Sequence, residues 1–239
     1  MISGEGSEID EQREDIVLPG PKDVILVLLL WFLMLFYLMP KGEDWATHYF
    51  ILELLGDFFL LLAVWVIVCL IRRQPLSFLG LKWPMVKGDI WKGIGLGVLL
   101  NFINMGVNLI LTMFGFTIPS DSRFGILKSG LSGILGFFLI VVILGPFVEE
   151  IFNRGFVYQA FKRRIGVIGA LIVSSLIFGL AHFPLGLIMV IEFSCLGAVL
   201  CYYFQKKGNL TVPIFAHASY NLASLIVVLI SHGFGSGGK

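Results

Sequence analysis

Long apolar runs separated by short polar stretches dominate this chain. Each run is close to the roughly 20 residues that an α-helix needs to cross the hydrocarbon core of a bilayer. The pattern therefore predicts an all-α protein, a polytopic membrane bundle of about seven or eight transmembrane helices. Seven runs carry this prediction: 23–39, 46–71, 90–117, 129–161, 166–183, 185–204 and 211–231.

The fourth run, 129–161, is too long for one straight span at about 1.5 Å per residue. It contains Gly145-Pro146, and a proline inside a helix removes one backbone hydrogen bond and crowds the preceding turn. We therefore expect a kink there. The last turns of this helix, which lead to Lys162-Arg163-Arg164, are expected to project into the aqueous interface.

Composition supports a membrane protein and excludes a soluble domain of this size. The 239 residues are 57% hydrophobic and 14% charged, whereas soluble domains are about 25% charged. The first 22 residues hold six acidic and two basic side chains, unlike the basic start of a secretory signal. We expect residues 1–22 to be a disordered acidic leader, 23–128 to be N-terminal transmembrane helices, and 232–239 to be a flexible tail.

The positions of the basic residues predict an orientation in the membrane. Cytoplasmic loops of membrane proteins carry an excess of Lys and Arg. If the N-terminus is cytoplasmic, most of the 17 Lys and Arg residues fall on the cytoplasmic side. We expect a multi-pass protein of the plasma (inner) membrane with its N-terminus in the cytoplasm. The residues show no nucleotide-binding or zinc-protease motif, and we expect no nucleic-acid partner.

Two adjacent carboxylates, Glu149 and Glu150, lie within the fourth apolar run. Placing a charged side chain at the centre of a bilayer costs at least about 2.5–3.5 kcal/mol. The presence of this pair therefore indicates a functional or structural role. Glu150 and Arg154 are four residues apart and share one helix face, where they can form an ion pair. Glu149 points to a different face and is available for proton transfer. The alternative is a structural charge cluster that joins helices.

Two later runs each bring a histidine, His182 and His217, and the second also brings Asn221. His217 and Asn221 are four residues apart, so they face the same way and can together bind a developing oxyanion. Each histidine alone can equally be a packing residue that makes an interhelical hydrogen bond. Taken with the paired glutamates, these groups are the ones that hydrolysis needs.

Other polar residues within the apolar runs are more simply explained by packing. Asn101, Asn104 and Asn108 form a stripe on one helix face, which favours helix–helix hydrogen bonding. Glu53 and Asp57 form a second acidic face, expected in packing or a water-filled cavity, with substrate contact as the alternative. Glu192 has no partner that the sequence reveals, and a place near the cavity is expected. Gly93 and Gly97 form a small-residue packing face.

These residues resemble the CAAX-protease and bacteriocin-processing family of intramembrane proteases, also called the type II CAAX prenyl endopeptidase or Abi family. Its pattern is Glu-Glu-x-x-x-Arg, Phe-x-x-x-His and His-x-x-x-Asn on successive helices. The pattern is matched in order by Glu149-Glu150-Ile-Phe-Asn-Arg154, Phe178-Gly-Leu-Ala-His182 and His217-Ala-Ser-Tyr-Asn221. The resemblance covers about residues 129–231, which we expect to form the catalytic membrane core.

The resemblance implies a role for each motif residue. Glu149 is the general base that activates a water, and His182 helps to hold that water. Glu150 pairs with Arg154 and shapes the site, while His217 and Asn221 stabilise the tetrahedral oxyanion. The same family has been described as metalloproteases, which would make Glu149, His182 and His217 ligands of a divalent metal such as zinc. The residues permit the metal-dependent and the metal-free scheme alike.

The function expected from this resemblance is that of an intramembrane endopeptidase. Its partners would be membrane lipid and a membrane-associated peptide or protein substrate, either prenylated or bacteriocin-like. Two alternatives stay open: a non-catalytic immunity or scaffold protein of the same family, and a proton-coupled transporter that uses the glutamates and histidines as a relay. The oligomeric state does not follow from the sequence.

Overall fold

The protein is described by a computed structural model over residues 18–38, 45–118, 124–125, 127 and 130–235. The predicted leader and tail fall largely outside these ranges. Helices and short connections make up the described residues, which contain no strand, so the predicted all-α membrane bundle is confirmed. The helices are α1 Pro21–Leu38, α2 Trp45–Trp65, α3 Lys87–Met113, α4 Leu131–Phe137, α5 Gly145–Glu150, α6 Gln159–Ala181, α7 Leu187–Lys207 and α8 Thr211–Gly235.

Six helical stretches in the described residues are long and apolar enough to cross a membrane, whereas the sequence predicted seven or eight. The difference arises because the fourth and fifth predicted spans form one stretch, Leu131–Ala181. Between them only Gly166 leaves the helical region, with φ 73° and ψ 179°. The predicted break is therefore present, but it is a single glycine rather than a loop. The chain is a multi-pass membrane protein.

The chain reverses direction at Gly166, and this reversal brings two motifs together. The hydroxyl of Ser174 donates a hydrogen bond to the carbonyl of Asn153, and the guanidinium of Arg154 lies over the ring of Phe178. Arg154 and Phe178 are equally far along the chain from Gly166. Glu150 and His182 are likewise equally far along the chain from Gly166.

The helical conformation is uninterrupted at Gly145-Pro146, where the sequence predicts a kink. Gly145 keeps helical angles, φ −52° and ψ −56°, and the helix continues without a break. The flanking segments, Phe138–Leu144 and Ile151–Tyr158, are π-helical. A π-helix uses hydrogen bonds to the fifth preceding residue and has a wider turn than an α-helix. The wider turn accommodates Pro146, which has no N–H to donate.

A short loop under α8 lets this helix begin inside the bundle. The loop contains the 3₁₀ turn Leu76–Leu79, and Gly80 follows in a left-handed conformation with φ 81°. The amide of Leu210 donates to the carbonyl of Gly80, and both Leu79 and Leu210 are 1% exposed. Because α8 starts at this buried point, His217 needs only two turns to reach the level of Glu150.

Small residues on α3 allow close packing against α8, as predicted. A Cβ on Gly93 would lie 2.7 Å from Cβ of Phe215 and 2.8 Å from the carbonyl oxygen of Val212. A Cβ on Gly97 would overlap the carbonyl of Ala216 and the hydroxyl of Ser219. The glycines therefore allow the two backbones to approach where larger residues would separate them.

This close approach predicts different effects for two neighbouring glycines. Gly97→Ala should destabilise the protein by about 1–3 kcal/mol because the added methyl group meets a backbone carbonyl. Gly95→Ala is the matched control, because its Cβ would meet nothing within 4 Å. Thermal unfolding in detergent should show a lower midpoint for Gly97→Ala alone. Equal midpoints for the two variants would contradict the packing described.

Candidate active site

The carboxylate of Glu150 is a meeting point for two of the three motifs. Glu150 is fully buried, with 0% exposure. Its Oε1 accepts a hydrogen bond from Nη1 of Arg154 at 2.8 Å, so the predicted ion pair is present. The same oxygen lies 3.1 Å from Nδ1 of His217 on α8. One oxygen atom therefore joins the α5 motif to the α8 motif.

Arg154, also 0% exposed, extends this network to α7 and α6. Its Nη2 donates to the carbonyl of Gly197 at 3.0 Å, and its Cζ lies 4.6 Å from the centre of the Phe178 ring. A Cβ on Gly197 would lie 3.4 Å from Nη2 and 3.2 Å from Cδ1 of Phe178, so a glycine leaves room for the guanidinium. The buried cation is thus held by a carboxylate, a carbonyl and an aromatic face.

The ring of Phe178 packs between the two motif histidines. Its centre lies 5.1 Å from that of His182 and 5.4 Å from that of His217. His182 also stacks on Phe193 of α7, with ring centres 3.8 Å apart and planes 15° apart. The aromatic residue of the second motif therefore sets the positions of both imidazoles relative to Arg154.

Hydrogen bonds at Nδ1 determine what each imidazole can offer at its other nitrogen. Nδ1 of His182 lies 2.8 Å from the carbonyl oxygen of Phe178, which can only accept, so Nδ1 carries a hydrogen. Nδ1 of His217 faces the Glu150 carboxylate, which likewise favours a hydrogen there. In the neutral form, each Nε2 is then an acceptor. His217 can donate from Nε2 only as an imidazolium, whose charge the adjacent carboxylate would stabilise.

Glu149 occupies a different environment from Glu150. It is half-buried, and its Oε1 lies 3.5 Å from the position that a Cβ on Gly145 would occupy. Oε1 of Glu53, on α2, lies 3.9 Å from that same position. The carboxylates of Glu149 and Glu53 therefore flank one glycine. The sequence identified Glu53 as an acidic residue of α2 but could not show that it lies beside the proposed base.

Asn221 contacts the α4–α5 region rather than the Glu150 network. Its Nδ2 donates to the carbonyl of Val141 at 2.8 Å. In the π-helical pattern, that carbonyl would receive the N–H of residue 146, which is a proline and has none. Asn221 thus completes the hydrogen bonding of the backbone before Glu149. One N–H of its amide remains for another acceptor, and the residue also lines a cavity.

The predicted metal ligands Glu149, His182 and His217 are not assembled as a set. Within the described part of the chain, no group of three or more His, Cys, Asp or Glu side chains is placed to hold a metal ion. The Nδ1 of His217 is directed to Glu150, and the imidazole of His182 lies between Phe178 and Phe193. The set of metal ligands Glu149, His182 and His217 therefore stays a prediction from the sequence.

The buried ion pair predicts a large effect when its cation is removed. Arg154→Met should destabilise the protein by about 3–5 kcal/mol, because Glu150 would keep an uncompensated buried charge. Arg163→Met is the matched control, since Arg163 lies on the same helical stretch but is exposed. Its effect should stay within about 0.5 kcal/mol. The measurement is unfolding in detergent. A small effect for Arg154→Met would contradict the role assigned to the ion pair.

Comparison with known proteins shows what this site is similar to. Residues 131–223 match the family model "Type II CAAX prenyl endopeptidase Rce1-like". The chain is 24% identical over 166 residues to "Putative membrane peptidase YdiL" of Bacillus subtilis, covering 69% of this chain and 67% of that protein. It is 31% identical over 170 residues to "Uncharacterized protein YyaK" of the same organism, covering 66% of this chain and 54% of that protein.

No solved structure matches the chain. The matched segment contains all seven motif residues, from Glu149 to Asn221, together with the reversal at Gly166 that brings the first two motifs together. Residues 131–223 of this chain are thus similar to the Rce1-like type II CAAX prenyl endopeptidase domain.

Proposed function

We propose that the protein is an intramembrane endopeptidase that cleaves a membrane-associated peptide or protein with a water activated by Glu149. The observation that carries this proposal is the separation of the two neighbouring glutamates. Glu150 is buried and bound to Arg154, whereas Glu149 is half-buried on another face of the helix. One carboxylate thus builds the site and its neighbour is accessible for chemistry.

In the proposed reaction, the carboxylate of Glu149 accepts a proton from a water molecule. The resulting hydroxide attacks the carbonyl carbon of the scissile peptide bond and forms a tetrahedral oxyanion. The C–N bond then breaks, and the protonated Glu149 returns its proton to the departing amine. His182 fits the task of orienting the water, because its Nε2 accepts a hydrogen bond when its Nδ1 is bound to the Phe178 carbonyl.

Two groups are proposed to bind the oxyanion. Asn221 offers the amide N–H that Val141 does not use. His217 offers Nε2–H in its imidazolium form, which the carboxylate of Glu150 stabilises at 3.1 Å. Preorganised donors of this kind contribute about 10²–10³-fold each to the rate of acyl transfer. Arg154 balances the charge of Glu150 and so acts as a positioning residue.

The proposed substrate is a prenylated or bacteriocin-like peptide held in the membrane. The name of the matched family, a prenyl endopeptidase, supports the first class, and the membrane location of the site supports any substrate that reaches it through lipid. We further propose that the N-terminus is cytoplasmic and that the protein lies in the plasma (inner) membrane. The distribution of Lys and Arg along the sequence supports that orientation.

Replacing the proposed base gives the direct test. Glu149→Gln removes the proton acceptor but keeps the size of the side chain, so cleavage should fall by at least about 10²-fold. Membrane fractions from cells with the wild-type protein, the variant or neither can be compared by mass spectrometry of new peptide termini. Peptides identified in this way then serve as substrates for the purified protein in detergent.

The folding control is the thermal midpoint of Glu149→Gln, which should match that of the wild-type protein. Termini that depend on the wild-type protein and vanish with the variant support the proposal. Termini that persist unchanged with a folded Glu149→Gln variant would refute the assignment of the base. A phenotype that survives alanine at Glu149, His182, His217 and Asn221 would favour a non-catalytic immunity or scaffold role instead.

A further inference from the structure

A cavity lies beside the proposed catalytic groups, between α3, α7, α8 and the π-helical segment Phe138–Leu144. It shares two residues with the site described above. Asn221, the proposed oxyanion donor, lines it, and so does Phe193, whose ring stacks on His182. A peptide whose carbonyl group reaches Asn221 can therefore place a neighbouring side chain in this cavity.

The walls of the cavity are mostly aromatic and apolar, and one charged residue interrupts them. Among the residues that line the cavity in the described part of the chain, Glu192 on α7 is the charged one. The others are apolar or neutral and polar, and they include Phe137, Val141, Met189 and Tyr220. A single carboxylate in such surroundings gives the cavity a defined electrostatic preference.

The hydrogen bonds of Glu192 leave part of its carboxylate available. Its Oε2 accepts from Nδ2 of Asn104 at 3.3 Å, a long hydrogen bond. The side chain of Asn108, one turn further along α3, also hydrogen-bonds to this carboxylate group. The Oε1 atom of Glu192 is buried and has no hydrogen-bond partner at normal geometry among the described residues. A carboxylate normally accepts several hydrogen bonds or pairs with a cation when water is excluded, so Glu192 is under-satisfied.

The asparagine stripe of α3 holds this arrangement in place. Asn101 donates to the carbonyl of Tyr220 at 3.2 Å and to the hydroxyl of Ser224 at 2.7 Å, which fixes α3 to α8. One turn later, Asn104 reaches across to Glu192 on α7. The stripe therefore has the packing role expected from the sequence and, in addition, it builds the polar wall of the cavity.

The complementary group is a cation on an apolar stem. Lysine and arginine side chains have this form, with methylene groups that pack on apolar walls and a cationic head that pairs with a carboxylate. The aromatic rings of Phe193 and Tyr220 add faces that attract a cation. An acidic side chain would be repelled by Glu192, and a neutral apolar side chain would leave the carboxylate without a partner.

We infer that Glu192 is a specificity residue that selects substrates with a lysine or arginine side chain close to the scissile bond. This inference rests on the proposed endopeptidase function and adds the class of side chain that the cavity accepts. The cationic group of the substrate pairs with Oε1 of Glu192, which lacks a hydrogen bond. Asn104 donates to the other oxygen, Oε2. Binding in the cavity then places the adjacent carbonyl group near Asn221.

The test uses purified full-length protein in detergent and a library of membrane-anchored peptides. The peptides differ at a single position, scanned across the residues on both sides of the cleaved bond, where they carry Lys, Met or Glu. Mass spectrometry measures relative kcat/KM. The wild-type protein should favour Lys over Met by at least tenfold at one position, and Glu should be the poorest. Met is the neutral comparison because its length is similar to that of Lys.

Variants separate the charge of Glu192 from its size. Glu192→Gln should reduce the Lys to Met ratio from at least tenfold to within about twofold of one. Glu192→Asp keeps the charge and should retain a preference for Lys. Asp57→Asn is the control, because it removes a half-buried carboxylate of α2 that does not line the cavity. It should leave the ratio of Lys to Met unchanged.

The outcomes distinguish this inference from the function on which it rests. Cleavage by the wild-type protein with a Lys to Met ratio near one at every position overturns the inference and leaves the endopeptidase function intact. A preference for Lys that persists in Glu192→Gln has the same consequence. No cleavage of any peptide by the wild-type protein, with no difference from Glu149→Gln, overturns both. The wild-type ratio decides the matter even if Glu192→Gln does not fold.

Discussion

The carboxylate of Glu150, buried with the guanidinium of Arg154, is the interaction on which the rest of the structure depends. Neither charge is exposed, so each requires the other in an environment that excludes water. The pair also fixes its surroundings, because Arg154 reaches the Gly197 carbonyl and the Phe178 ring, and Glu150 reaches His217. Elements that are distant in sequence are thereby joined in one network.

This network places the two adjacent glutamates in different environments. Glu150 has no exposed surface, whereas Glu149, its neighbour in the helix, is half-buried beside Glu53 and Gly145. The carboxylate of Glu150 contacts the imidazole of His217, whereas Glu149 lies outside that contact. The segments on both sides of α5 are π-helical and therefore have wider turns. These turns accommodate Pro146, and the carbonyl of Val141 accepts a hydrogen bond from Asn221 instead.

Local spacing predicted the local part of this arrangement. Glu150 and Arg154 are four residues apart, so their ion pair follows from helix geometry, and runs of apolar residues suffice to predict a membrane bundle. The contact between Glu150 and His217 depends on where α8 begins and on the reversal at Gly166, neither of which spacing specifies. The sequence also did not predict that Asn221 bonds to the carbonyl of Val141. That carbonyl is a backbone group, which lacks an N–H partner because of Pro146, and the pattern of side chains does not reveal it.

The most direct test of this account is a double-mutant cycle between Glu150 and His217, measured as unfolding free energy in detergent. The variants are Glu150→Gln, His217→Gln and the double variant. Each replacement side chain is close in size to the native one. If one carboxylate joins the two motifs, the two changes should be non-additive by about 0.5–3 kcal/mol. Effects that add to within about 0.3 kcal/mol would show that the two side chains do not interact, and would contradict the convergence of the motifs on Glu150.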